Sequence, residues 1–230
     1  MRDNPQAVML FAAGFGTRMG ALTADRPKPL ICVAGRSLMD RSLDLAVGAG
    51  LERKVVNLHY KADMLRDHLA ETDVLISHET PEILETGGGL RHALPLLGAG
   101  PVFTMNTYAI WKGPNPLQVA RDAWEPDRMD ALLVCVARNN ALGHSGSGDF
   151  SLDPQGKLRR GEGFVYGGVQ IIKTEGLASI GDTAFSLNVL WDRMLEQGRL
   201  FGLPYPGLWC DVGKPEGIAQ AESLLGSADV

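Results

Sequence analysis

Three cations, Arg18, Arg26 and Lys28, fall within eleven residues of a chain that is acidic overall, close behind two glycines, Gly14 and Gly16. Those residue types suit a phosphate ligand. Glycine lets main-chain N–H groups approach a ligand closely, and such groups hold phosphate oxygens. The Arg18 guanidinium is a planar fork matched to phosphate, whereas Lys28 is a compact point charge. Spacing excludes two familiar phosphate motifs. A dinucleotide fingerprint needs G-x-G-x-x-G, but the third position here is Met19, with Gly20 one late. A P-loop needs a lysine directly after its last glycine, and none follows Gly14 or Gly16 at that place.

Such a turn must be carried by a rigid element. The apolar run Val8–Phe11 reads as a buried strand feeding it. Beyond it, residues 37–49 read as a helix stopped by Gly48-Ala49-Gly50, and Lys54–Leu58 as a second strand. Residues 62–70 read as a helix, 74–77 as a third strand, 88–97 as a helix opening at its glycines, and 102–106 as a fourth strand. Strands alternating with helices at this spacing predict βαβ units and a parallel sheet, with ligands at the carboxyl ends of the strands. The ends of the first, third and fourth of these strands are therefore the expected site. Further on, 116–123 reads as a helix, 130–137 as a strand, and 150–158 as a hairpin around Asp153-Pro154-Gln155-Gly156. An apolar strand at 164–172 is interrupted by Gly167-Gly168, a helix follows at 187–197, a strand at 208–212, and a closing helix after Pro215.

Composition narrows the function classes. A length of 230 residues suits one large α/β domain. The net charge of −5 and the absence of a basic stripe argue against nucleic acid as a partner. No apolar run approaches a membrane span, and residues 1–7 lack the apolar core of a signal peptide. The three cysteines, Cys32, Cys135 and Cys210, are too few and too scattered for a disulfide framework. They fit reduced thiols in a cytoplasmic protein. No motif speaks to oligomeric state.

The run Ala13-Gly14-Phe15-Gly16-Thr17-Arg18 with Pro27-Lys28 resembles the signature of the sugar nucleotidyltransferases (nucleoside-diphosphate-sugar pyrophosphorylases), (A/G)-G-x-G-(T/S)-R followed by P-K, with every position present. Trp209-Cys210-Asp211-Val212-Gly213-Lys214-Pro215-Glu216 is similar to that family's W-x-D-(V/T)-G-x-P-E segment, and Thr86-Gly87-Gly88-Gly89 to its Thr-x-Gly-Gly stretch. The likeness covers about residues 6–225. It implies an α/β fold, a Rossmann-like, mixed but mainly parallel sheet flanked by helices, of the glycosyltransferase-A-like nucleotidyltransferase kind. One domain over 1–230 would comprise a nucleotide-binding half at about 6–137, a sugar-side portion at about 138–212 and a closing helix at 214–225.

The activity implied is attack by a sugar 1-phosphate on the α-phosphorus of a nucleoside triphosphate, with pyrophosphate leaving. By the same resemblance, Ala12, Ala13, Gly14, Gly16, Thr17, His78, Glu85 and Gly88 hold the nucleotide. Thr86, Gly168 and Asn188 hold the sugar. Arg18 stabilises the departing pyrophosphate, Lys28 bridges the reacting phosphates, and Asp211 holds Mg²⁺, a hard cation that takes carboxylate and phosphate oxygens. Within the family, Asn57-Leu58-His59-Tyr60, Ser77-His78-Glu79 and Glu85-Thr86-Gly87-Gly88 look most like the N-acetylmuramate 1-phosphate uridylyltransferases of bacterial wall recycling, which favours UTP. Mannose-1-phosphate guanylyltransferases and heptose-phosphate nucleotidyltransferases are the competing likenesses. One position departs from the pattern. Tyr108 stands where the family has a metal-binding aspartate, and a phenol of pKa ~10 is a poor Mg²⁺ ligand at neutral pH. That departure raises an alternative, a member that binds nucleotide or sugar phosphate with weak turnover or none.

Overall fold

The computed structural model describes residues 4–227, so the first three residues of the polar 1–7 stretch lie outside it. Strand β1 (Ala7–Phe11) leads into the cation-bearing loop, which is followed by the small hairpin β2 (Cys32–Val33) and β3 (Arg36–Ser37). Helix α1 (Leu38–Gly48), strand β4 (Arg53–Leu58), helix α2 (Ala62–His68), strand β5 (Leu75–His78) and helix α3 (Glu85–Leu97) come next. Strands β6 (Val102–Asn106) and β7 (Ala109–Lys112), helix α4 (Pro116–Asp122), strand β8 (Ala131–Val136) and the short β9 (Ala141–Leu142) continue the chain. A hairpin of β10 (Phe150–Leu152) and β11 (Leu158–Arg160) precedes the long β12 (Val165–Ile172). Helix α5 (Asn188–Glu196), strands β13 (Leu200–Pro204) and β14 (Leu208–Asp211), and helix α6 (Glu216–Gly226) complete it.

Seven strands form the central sheet in the order β13-β8-β12-β6-β1-β4-β5. Neighbours run parallel except β12, which lies antiparallel between β6 and β8. Helices cover both faces, and β1 shows why. Its alternate residues Val8 and Leu10 enter one apolar layer with Met39 and Ala46 of α1. Ala7 and Met9 enter the opposite layer with Leu90 and Ala93 of α3. A strand buried on both faces reads as a continuous apolar run, as this one does. Local capping sets the helix starts. The Ser37 hydroxyl accepts from Asp40 N–H at 3.0 Å ahead of α1, and Asn115 Oδ1 accepts from Leu117 N–H at 3.0 Å ahead of α4. A second sheet, β7-β14-β9, pins α6 and residues 208–211 beside the cation-bearing loop through a small core that includes Met19, Ile110, Cys210 and Leu224.

Two details differ from the sequence reading. Helix α3 begins at Glu85, three residues before its expected start, so Gly87, Gly88 and Gly89 lie within its first turns rather than opening it. Their role is close packing: a side chain at Gly87 would collide with the Phe185 ring, and one at Gly88 with the Thr183 carbonyl. Strand β13 has no counterpart in that reading. Its Gly202 makes room for Leu158 and Cys135, and a glycine and a terminal proline weaken a strand signal. Strands β12 and β13 also join the main sheet, so residues beyond 138 supply part of the same core.

Candidate active site

The loop after β1 is held open by a buried polar relay. Ala12 N–H donates to Asn57 Oδ1 at 2.7 Å, Asn57 Nδ2 donates to Glu79 Oε1 at 2.7 Å, and Glu79 Oε2 accepts from Leu84 N–H at 2.8 Å. Glu79 is wholly buried, and both of its side-chain oxygens accept from donors. The relay ties the end of β1 to the end of β4 and to the chain entering α3. Further along the loop, Gly16 takes a left-handed conformation with φ 65°. A Cβ there would stand 2.9 Å from Lys28 Cβ, so glycine at this position lets the lysine pass beneath the turn.

A cleft of 320 Å³ results at the carboxyl ends of β1, β4 and β6. One wall is Ala12–Gly14 with Gly16, Thr17 and Arg18, and the other is Asn57, Glu79, Ile83, Glu85 and Thr86. Lys28, Asn106, Thr107 and Tyr108 also line it. Lys28 is 8% exposed, and its Nζ lies 3.9 Å from the centroid of the Tyr108 ring. Burial lowers the Lys28 ammonium to about 8 against the attraction of Asp211, with Arg18 adding repulsion. Burial likewise pushes the Tyr108 phenol up to about 12, with Asp211 adding to the rise, so that side chain is neutral at physiological pH.

A second hollow of 150 Å³ shares Arg18, Asn106 and Tyr108 with the cleft and adds Asp211, Asp149, Tyr166 and His144. Asp211 Oδ1 is buried there without a hydrogen-bond partner. A buried carboxylate oxygen with no donor is suited to a hard cation. Among the described residues no group of three His, Cys, Asp or Glu side chains is placed to hold a metal. An ion at Asp211 would therefore complete its shell with waters and ligand phosphates, the habit of Mg²⁺.

The structure thus brings Ala12, Ala13, Gly14, Gly16, Thr17, Arg18, Lys28, Glu85 and Thr86 to one cleft, with Asp211 in the adjoining hollow. Four expected residues do not line either space. His78 is exposed at the end of β5, where alternation turns it outward to within 3.4 Å of Arg66. Gly88 is packed under Thr183 inside α3. Asn188 opens α5, where its amide donates to Ser186 Oγ and its carbonyl accepts from Arg160. Gly168, with φ 89° at the bulge of β12, backs onto Asn106, and its neighbour Gly167 faces the hollow instead. The sequence reading assigned no role to Asn57, Glu79, Asp149 or Tyr166. An asparagine inside the otherwise apolar Val55–Leu58 run was the available signal for the first of these.

No helix among the described residues is long and apolar enough to cross a membrane. Residues 8–145 match the family model of the MobA-like NTP transferase domain. A curated relative from Caulobacter vibrioides, N-acetylmuramate alpha-1-phosphate uridylyltransferase, is 41% identical over 99% of this chain and 100% of its own length. A protein of the same name from Neisseria meningitidis is 33% identical over 95% of this chain and 98% of its own. Among solved structures, HddC from Yersinia pseudotuberculosis complexed with GMP-PN superimposes with a TM-score of 0.78 at 20% identity, covering 96% of this chain and 99% of that one.

Proposed function

This chain belongs to the family of MobA-like NTP transferases, and we propose that it transfers the uridylyl group of UTP to N-acetylmuramate 1-phosphate, releasing pyrophosphate. It is an enzyme of the nucleotidyltransferase type. Identity over essentially the full length of a relative with that activity supports the choice of base and sugar. The same relatives do not favour the alternatives suggested by Tyr108, a binding protein with little turnover, or by the guanylyltransferase likeness. Recycling of wall sugars in the cytoplasm is the setting in which this reaction fits.

The observation that carries the mechanism is the placement of Arg18, shared by a cleft walled by the glycine turn and a hollow holding Asp211, with Lys28 lining the same cleft. In this reading, Ala12–Gly14 and the first turn of α3 hold the nucleoside. The oxygen of the sugar 1-phosphate attacks the α-phosphorus, its bond forming as the bond to pyrophosphate breaks in line. Little covalent help is needed, so positioning and charge neutralisation carry the rate. Lys28 lies against both reacting phosphates, and Arg18 meets the charge that grows on the leaving pyrophosphate. Asp211 would hold Mg²⁺, which when bound screens phosphate oxygens. Pyrophosphate release from UTP in the presence of N-acetylmuramate 1-phosphate tests the reading. Release from GTP with mannose 1-phosphate at a greater rate would overturn the choice of substrates.

A further inference from the structure

Tyr108 lines both the cleft and the hollow, yet the mechanism above gives it no task. Its surroundings are built. The hydroxyl accepts from Asn106 Nδ2 at 2.8 Å. Asn106 is in turn pressed against Gly168, where a Cβ would stand 2.9 Å from both Cβ and Nδ2 of the asparagine. Asn106, backed by the β12 bulge, thus anchors the hydroxyl end of the ring. The Lys28 ammonium lies over the ring at 3.9 Å from the centroid. Asp211 attracts the ammonium from a distance, and the ring face is the contact described for it.

A ring face attracts a cation through its quadrupole and leaves the N–H donors of the ammonium free. A carboxylate in the same place would neutralise the ammonium and engage its donors. The two partners differ in what they leave for an anionic ligand. We propose that Tyr108 is the positioning residue for Lys28, its ring face seating the ammonium so that its N–H donors stay free to meet the phosphates. The hydroxyl serves only to hold the ring through Asn106. This inference rests on the reading of Lys28 as a phosphate contact.

The test is a double-mutant cycle on UTP affinity by calorimetry, with kcat and KM measured alongside, pairing Tyr108 variants with Lys28→Ala. Tyr108→Phe keeps the ring and is expected to stay within about twofold of wild type, whereas Tyr108→Leu is expected to weaken UTP binding about three- to tenfold. In the Lys28→Ala background the leucine variant should cost nothing further, a result that a purely structural role for Tyr108 would not produce. Equal losses for Tyr108→Phe and Tyr108→Leu would overturn the inference, as would an undiminished loss in the Lys28→Ala background. If Tyr108→Leu fails to fold, Tyr108→Phe and Tyr108→Trp decide the matter, since both keep a ring face and both must retain affinity. Wild type that neither binds UTP nor releases pyrophosphate would sink the functional reading itself. Wild type that binds UTP, with Tyr108→Leu unchanged from it, would sink this inference alone.

Discussion

The relay through Asn57 gives the most demanding test of how the cleft is held. Replacing Asn57 by leucine keeps the volume roughly constant but removes an acceptor from Ala12 N–H and a donor from Glu79 Oε1, both buried. An orphaned main-chain N–H costs about 1–3 kcal/mol, and a buried carboxylate stripped of one partner costs more, so the loss should be about 3–5 kcal/mol. For a chain of this length that corresponds to a fall in Tm of about 6–20 °C. Urea denaturation at neutral pH, followed by far-UV circular dichroism, measures it. Asn57→Asp sharpens the argument through its sign. The introduced carboxyl would face Glu79 at the 2.7 Å separation now bridged by an N–H donor, so one of the pair must hold a proton when folded. Its folded pKa is raised above the unfolded value, and the variant should be more stable near pH 5 than near pH 8, losing stability as pH rises through the folded pKa. A loss below about 1 kcal/mol for Asn57→Leu, less than the usual cost of a single orphaned group, would refute the view that this relay holds the loop.

Three further outcomes follow from the same geometry. Gly88→Ala should destabilise the protein by more than about 2 kcal/mol, as overpacking against rigid backbone does, because Thr183 carbonyl oxygen occupies the space; a Tm unchanged from wild type would contradict this. Lys28 has a folded pKa lowered to about 8 from 10.5, so its burial cost is fully present below pH 8 and fades towards 10.5. Lys28→Met should accordingly be more stable than wild type at pH 7, with the gap closing between pH 8 and 10.5 in denaturation curves, while UTP affinity of the wild type falls as pH rises through about 8. Asp211→Asn should leave the melting temperature of the free protein near wild type but abolish the extra stabilisation that Mg²⁺ adds to UTP in a thermal-shift titration. Retention of that increment would remove Asp211 from the metal site.

Much of the cleft was legible because its chemistry is local in sequence. The glycine turn, Arg18 and Lys28 lie within a single connection after one apolar strand, and that strand's double burial is written in its composition. What escaped is long-range. Asn57 and Glu79 matter because β4 stands beside β1 and the chain after β5 folds back on it, pairings that no single stretch encodes. The start of α3 falls earlier than expected for a related reason. A run of glycine signals a helix boundary unless one knows that residues 183–185 pass directly over it. His78 and Asn188 were drawn in by the family likeness of their neighbourhoods, whereas strand alternation and the helix start, respectively, turn them to other partners.

The antiparallel β12 has a consequence for how the chain comes off the ribosome. The half-sheet β5-β4-β1-β6 is complete by residue 106, but the free side of β6, with the apolar Val102 to Met105, is not paired until β12 emerges some sixty residues later. Strand β8 waits for the same partner on one side and for β13 on the other. A nascent chain thus exposes three apolar strand edges at once, one on β6 and two on β8, the feature that most readily recruits a foreign strand. Fragments ending before residue 165 should therefore collect in inclusion bodies, and chaperone demand during synthesis should drop sharply once Ile172 has cleared the exit tunnel.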